Sequence, residues 1–213
     1  MRVSRRALCA IALGGLCAAV APVALASERG SEPTMSADVR FAARWIAETR
    51  DNRNLPFAIV DKRGARLFVF GPRGQLIGTA PALLGMARGD HSSPGVGALP
   101  PERIPVPDRT TPAGRFMSEP GRNLDGEDVV WFDYEAGLAI HRVRANAARS
   151  ARLQRLSAAV PDGQRVSAGC VVVDTGFYES VVRPVLGRGK GMVYVLPETR
   201  SVQDMFTGLA AAL

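Results

Sequence analysis

Histidine and cysteine are scarce in this chain, 2 and 3 in 213 residues. So few ligands exclude a zinc-finger array, and so few thiols exclude a small scaffold stapled by disulfides. No stripe of basic residues with interleaved aromatics of the RNA-binding kind occurs, so nucleic acid is not an expected partner. No repeat and no low-complexity tract interrupts the chain. Wholesale disorder is excluded too, because 46% hydrophobic against 22% charged residues is a globular balance. The length suits one domain of ordinary size and is too short for two large ones.

The formal charge of +7 is concentrated at the start. Arg2, Arg5 and Arg6 form a positive region, residues 7–21 are apolar, and Ala24-Leu25-Ala26 has the form of a cleavage site. Residues 1–26 therefore read as a bacterial secretory signal peptide, with export to the periplasm or cell envelope by a Sec-type route, or by a twin-arginine route through Arg5-Arg6. The apolar run is short for a membrane span and meets Pro22, so stable membrane insertion is not expected after cleavage. Neither Cys9 nor Cys17 has a lipoprotein context. Of the 27 Lys and Arg, three leave with this segment, so 24 face 20 acidic residues and the charge falls to +4. Cys170 is then the one remaining thiol, either a buried bystander or a reactive group.

Residues 27–54 read as an N-terminal helical segment, with Ser36 capping a helix to about Arg50 that turns Val39, Ala43 and Ile46 to one face. From Leu55 the period changes. Phe57–Val60 and Arg66–Phe70 read as strands around the turn Asp61-Lys62-Arg63-Gly64, and a third strand follows over 75–80. Further strands are expected at 115–118, 129–134, 138–142, 169–173 and 192–196, and their close spacing predicts an antiparallel sheet. Residues 85–111, rich in Gly, Pro and Ser, form a long loop of the kind that is often functional. Helices are expected over 146–160, from Thr175 to about Arg183, and over 201–212. The whole reads as one domain, mainly β with helices, spanning 55–197 and closed by a C-terminal helix in 198–213.

Chemistry is concentrated around Ser167-Ala168-Gly169-Cys170-Val171. A cysteine after a glycine at a strand start lets backbone N–H groups converge on one spot, as an oxyanion hole requires. A thiolate nucleophile needs a base, and His141 at a strand end is the better of two candidates, since His91 lies in the Gly/Pro-rich loop. Taken alone, an inert buried cysteine and a satisfied histidine explain these residues equally well. One Cys and two His leave a zinc site short of ligands unless carboxylates help.

The ordered set of motifs resembles the L,D-transpeptidase family of bacterial cell-wall enzymes. Ala58–Asp61 with Leu67–Phe70 looks like the family's opening hairpin. Thr110-Thr111-Pro112-Ala113-Gly114-Arg115-Phe116 is similar to its Thr-Pro-x-Gly-x-Phe segment, Ile140-His141 to its strand-end histidine, and Ser167-x-Gly169-Cys170 to its Ser-His-Gly-Cys core. The resemblance covers roughly Leu55 to Pro197. It implies a β-rich sandwich or barrel with an inserted helix, in which Cys170 is the nucleophile and His141 the base. Ser167 would orient the imidazole through its hydroxyl or carbonyl, and backbone N–H groups of Cys170, Gly169 or Ala168 would hold the oxyanion.

The implied donor is a peptidoglycan tetrapeptide stem, attacked at the bond before its terminal D-Ala and passed to an amine, by a monomer sensitive to carbapenems. The chain departs from the family in three places. Ala168 stands where a second histidine is common, Val172 where Arg or Asn is usual, and an arginine-rich segment, 142–165, lengthens the interval from His141 to Cys170. Val172 stands at the expected substrate-contact position, and Arg142 and Arg144 are the candidates to supply the missing positive charge to an anionic stem peptide; the resemblance implies no metal or organic cofactor. The alternatives are a hydrolase of the same fold, acting as an L,D-carboxypeptidase or endopeptidase, and a catalytically weak wall-binding protein.

Overall fold

The computed structural model describes residues 35–158 and 160–210. The expected signal peptide, with Cys9 and Cys17, lies outside them. The first helix, α1 (Ala37–Thr49), starts where expected: the Ser36 Oγ accepts from the Val39 N–H at 3.2 Å, closing the first turn. The same hydroxyl donates to Asp61 at 2.9 Å, so the cap also ties the helix to the end of β1 (Phe57–Asp61). Arg50, in the left-handed region, ends it. The buried face carries Val39, Ala42 and Ile46, one position away from the expected Ala43.

β1 pairs antiparallel with β2 (Arg66–Phe70), and β2 with β3 (Leu76–Pro81), as the turn signals predict. β4 (Leu84–Gly85) is a two-residue strand. The segment that follows contains three single 3-10 turns, at Val96–Ala98, Pro101–Arg103 and Val106–Asp108. β5 (Gly114–Arg122), β6 (Asp128–Asp133) and β7 (Leu138–Arg142) form an antiparallel meander. α2 (Arg149–Ser157) is shorter than the expected helix. It is followed by β8 (Arg165–Ser167), not foreseen, and β9 (Val171–Val173). Thr175–Phe177 (α3), a π-helical stretch at Tyr178–Val182 and Arg183–Leu186 (α4) run on as one helical segment, capped by Asp174 rather than by Thr175. β10 (Gly191–Val195) and α5 (Val202–Ala210) end the described chain.

The main sheet has eight strands in the order β3-β2-β1-β10-β5-β6-β7-β9. The expectation of a purely antiparallel sheet needs correction: β1 pairs with β10, and β7 with β9, in parallel, and β4 and β8 form a separate parallel pair. Short local connections fix antiparallel hairpins, but each parallel pair joins strands far apart in sequence, which close spacing does not report. β10 is buried along its whole length and links the first hairpin to the meander.

Alternation along the strands separates two faces. The inner face gathers Val60, Leu67, Val130, Phe132, Ile140, Val171, Val193 and their neighbours under Tyr178, Val182 and Leu186. On the outer face, α1 and α5 cover β1, β2 and β10 through Phe57, Phe68, Phe70, Tyr194 and Phe206. At β9 the outer face is covered by Leu83, Val143 and Leu156 of α2. Between these covers, Met117, Glu119 and Trp131 face out from β5 and β6, with Met117 and Glu119 exposed and Trp131 half-buried.

Candidate active site

β7 alternates as Leu138 and Ile140 inward, Ala139 and His141 outward. β9 runs beside it in parallel, with Ile140 level with Val171 and His141 level with Val172. Cys170, one residue before β9, therefore extends the outer row alongside Ala139. His141, Val172 and Cys170 share one face, and the imidazole and the thiol stand on neighbouring strands. Trp131 pairs with Ala139, so the same row continues across the meander to Trp131 and Glu119.

The imidazole has a defined orientation. Its Nδ1 lies 2.8 Å from the Arg142 carbonyl oxygen, which can only accept, so the neutral ring carries its proton on Nδ1. Nε2 is then left with the lone pair a base requires. The Cys170 thiol donates weakly to the Gly137 carbonyl at 3.6 Å. Burial pushes the His141 pKa down to about 4, with help from the Arg144 and Arg152 charges and against the Arg142 carbonyl. Burial likewise pushes the Cys170 thiol up, opposed by a backbone hydrogen bond from Ala139 and by Arg144. Both shifts favour the uncharged forms, so at neutral pH the thiol and the imidazole on this face are both neutral.

The turn before Cys170 is held by its own side chains. Ser167 Oγ donates to the Cys170 carbonyl at 2.7 Å and accepts from the Gly169 N–H at 3.1 Å, while the Ser167 carbonyl accepts from Met86 N–H at 3.0 Å. The hydroxyl and the carbonyl of Ser167 thus hold the turn rather than the imidazole expected of one of them, and the imidazole's partner is the Arg142 carbonyl. Gly169 N–H, a candidate oxyanion donor, is directed to Ser167. Gly169 has φ +133°, and a Cβ there would lie 2.8 Å from the Thr110 carbonyl and 2.7 Å from Leu138, so only glycine fits this turn. Ala168 sits half-buried in it.

Thr111, fully buried, was missed as a site residue. Its Oγ donates to the Gly169 carbonyl at 2.8 Å and accepts from Gly85 N–H at 2.9 Å. Its segment was noticed, but the requirement that a buried hydroxyl find partners becomes visible only once the fold buries it.

Two substrate-contact expectations need correction. Arg142 is on the inner side of β7, with its guanidinium 5.6 Å over the Tyr178 ring and 3.2 Å from Glu179, away from the thiol. Strand alternation puts it opposite its neighbour His141. Val172 is a core residue, packed with Leu83, Val143 and Leu156 and paired to Leu83 through its backbone. The apolar residue and the inserted helix belong together, because α2 covers the position where a polar side chain would otherwise meet solvent. Arg144 remains near the pair, with Asp125 at 3.0 Å and Glu127 at 3.6 Å as counter-charges. His91 is exposed in the long loop.

Among the described residues no group of three His, Cys, Asp or Glu side chains is placed to hold a metal, and no helix is long and apolar enough to cross a membrane. The sheet thus brings a thiol, an imidazole and a glycine turn onto one face.

No protein-family model matches the chain, and no curated relative matches it. Solved structures do. An L,D-transpeptidase from Xylanimonas cellulosilytica is 15% identical over 66% of this chain and 60% of its own, with a TM-score of 0.40. An L,D-transpeptidase from Mycobacterium smegmatis gives 15%, 66%, 58% and 0.38. The helical cell shape determining protein Pgp2 from Campylobacter jejuni gives 16%, 79%, 63% and 0.44. The chain thus spans about 60% of the length of the solved chains it matches.

Proposed function

We propose that this chain is an exported cysteine acyltransferase of the L,D-transpeptidase type, acting on peptidoglycan stem peptides. The observation that carries the reading is the parallel register of β7 and β9, which sets His141 and Cys170 on one face with Nε2 of the imidazole unprotonated. In the proposed reaction Cys170 Sγ attacks the carbonyl carbon of the bond before the terminal D-Ala, and its proton passes to His141 Nε2. The tetrahedral oxyanion is met by backbone N–H groups at Ala168 and Cys170, because that of Gly169 serves Ser167. Collapse expels D-Ala as its amine takes the proton back from His141, leaving a thioester. An incoming amine then repeats the sequence in reverse.

The imidazole at about 4 and the raised thiol fit a mechanism that forms the thiolate only on attack, when the substrate has displaced water from the pair. The open stretch of the outer face bearing Trp131, Met117 and Glu119 lies in line with Cys170 and is where the donor stem would extend. Arg144 supplies the nearest positive charge for an anionic stem. Water in place of the amine gives the hydrolase, with the same first half-reaction.

The test is intact mass measurement of the full chain after mixing with tetrapeptide muropeptides, with Cys170→Ala alongside. An acyl adduct on the wild type alone, with D-Ala released and cross-linked dimers formed, is the expected result. D-Ala release without dimers assigns the hydrolase. No adduct and no product rejects acyl transfer from this donor.

A further inference from the structure

Behind the nucleophile turn the chain buries an ammonium. Lys62, in the β1–β2 turn, is completely inaccessible, as is the carboxylate of Asp90 that it meets at 2.7 Å, and Glu198 lies 3.7 Å away. Its remaining hydrogen bonds go to the Gly89 carbonyl at 2.5 Å and the Thr111 carbonyl at 3.0 Å. Asp90 is held in turn by the N–H groups of Glu198 at 2.8 Å and Thr199 at 3.0 Å. Glu198 pairs with Arg165 at the start of β8, and Arg165 donates to the Lys62 carbonyl at 3.1 Å.

Burying ions is unfavourable unless each is fully partnered, and a well-packed apolar cluster would serve stability at least as well. What an ammonium offers and a methyl does not is a direction for each of its N–H groups. Here those directions join the two ends of the segment 85–111: Gly89 and Asp90 at its start, Thr111 at its end. Ala113 N–H reinforces the closure by donating to the Asp90 carbonyl at 3.0 Å. Thr111 is the outlet of this network. Its carbonyl is fixed by Lys62, and its hydroxyl reaches the Gly169 carbonyl, one peptide before Cys170.

We infer that Lys62, acting through Thr111, is a positioning residue that sets the rotation of the Gly169–Cys170 peptide and so the aim of the thiol and of the oxyanion donors. The inference rests on the acyl-transfer reading of Cys170 for its catalytic consequence, though not for its structural one. The relay uses the one rotatable hydroxyl between two fixed points, Gly85 N–H and the Gly169 carbonyl. Valine at position 111 has nearly the same shape but cannot bond to Gly169, whereas serine can.

The experiment uses the full chain and its Thr111→Val and Thr111→Ser variants, with Lys62→Met as a fourth protein where it folds. Two quantities are read: hydrogen–deuterium exchange of the peptide spanning residues 165–172, and the rate and half-saturation of acylation by a disaccharide-tetrapeptide. Thr111→Val is expected to speed exchange of that peptide about tenfold or more and to slow maximal acylation roughly 10–100-fold with half-saturation little changed, the loss usual for a residue supporting a reactive group. Thr111→Ser is expected to restore both to within about threefold of wild type. Faster exchange with an unchanged acylation rate overturns the inference, as does slowed acylation that serine fails to rescue. A wild-type chain that forms no acyl-enzyme rejects the acyl-transfer reading instead. The exchange comparison then decides the relay alone, and unchanged exchange in Thr111→Val overturns it.

Discussion

The two ends of the outer face are finished differently. Over β1, β2 and β10 lie two helices: Phe57 and Phe70 stack at 4.8 Å within the sheet, Trp45 and Phe206 meet at 4.8 Å between the helices, and Phe206 reaches Tyr194 of β10 at 6.1 Å between ring centroids. Over β7 and β9 lies only the nine-residue α2, which adds Leu156 to a small cluster with Leu83, Val143 and Val172. The strands themselves are alike in alternation. The cover decides what an outward position holds: rings where it is thick, an imidazole and a thiol where it is thin. The thickly covered end is dry, and the thinly covered end leaves His141 and Cys170 half-buried.

The comparison breaks most completely at Cys170. Cys170→Ala should abolish acyl-enzyme formation, read by intact mass, while shifting stability by less than about 1 kcal/mol, because the thiol packs only at the edge of the small cluster. His141→Gln should slow acylation by roughly 10²–10⁴, the loss of a general base, measured under single-turnover conditions. At the other end, Phe57→Ala should destabilise by about 3–5 kcal/mol in denaturant titration and leave the acylation rate of the folded fraction unchanged.

Leu156→Ala should cost about 2 kcal/mol, the low end for a leucine, because its cluster is small and can collapse. It should also expose Val172, seen as faster exchange in β9. The smallest effect is expected at Arg142→Ala, no more than about 1 kcal/mol from a half-exposed ion pair and a ring contact, with turnover unchanged. A large loss of turnover there would return Arg142 to the site.

Acid distinguishes the ends as well. His141 has a folded-state pKa of about 4 against an ordinary 6.5, so the unfolded chain takes up the proton first. Its contribution to stability is present above about 6.5, declines as the pH falls, and is gone below about 4. His141→Gln should flatten that part of the stability profile. Acylation by the wild type should persist down to about pH 5 and fall as Nε2 is protonated near 4.

The sequence made legible what depends on near neighbours or on rarity. The hairpins of β1 to β3 follow from Asp61-Lys62-Arg63-Gly64 and from residues alternating over a few positions. His141 and Cys170 stand out because the chain has so few residues of their kinds, and the ordered motifs around them separate them from an inert cysteine and a satisfied histidine. The parallel pairings were not legible, because Phe57 gives no sign that it lies beside Met192. Arg142 illustrates the limit from the other side: adjacency to His141 in sequence suggested a shared site, and alternation along β7 put the two on opposite faces. Thr111 and Lys62 acquire their importance only when burial obliges each polar atom to be partnered.

The place of β10 in the sheet also governs when the protein can fold. Among the described residues it is the last strand to be made, yet it is the one that joins β1 to β5. A chain synthesised only as far as residue 190 holds a hairpin sheet and a meander with no ladder between them. Each then presents an unpaired edge, at Phe57–Val60 and Gly114–Ser118 respectively, to whatever strand it meets first. The nascent chain is therefore kept from joining its two halves until β10 has emerged, and a partner that covers those two edges would hold it open.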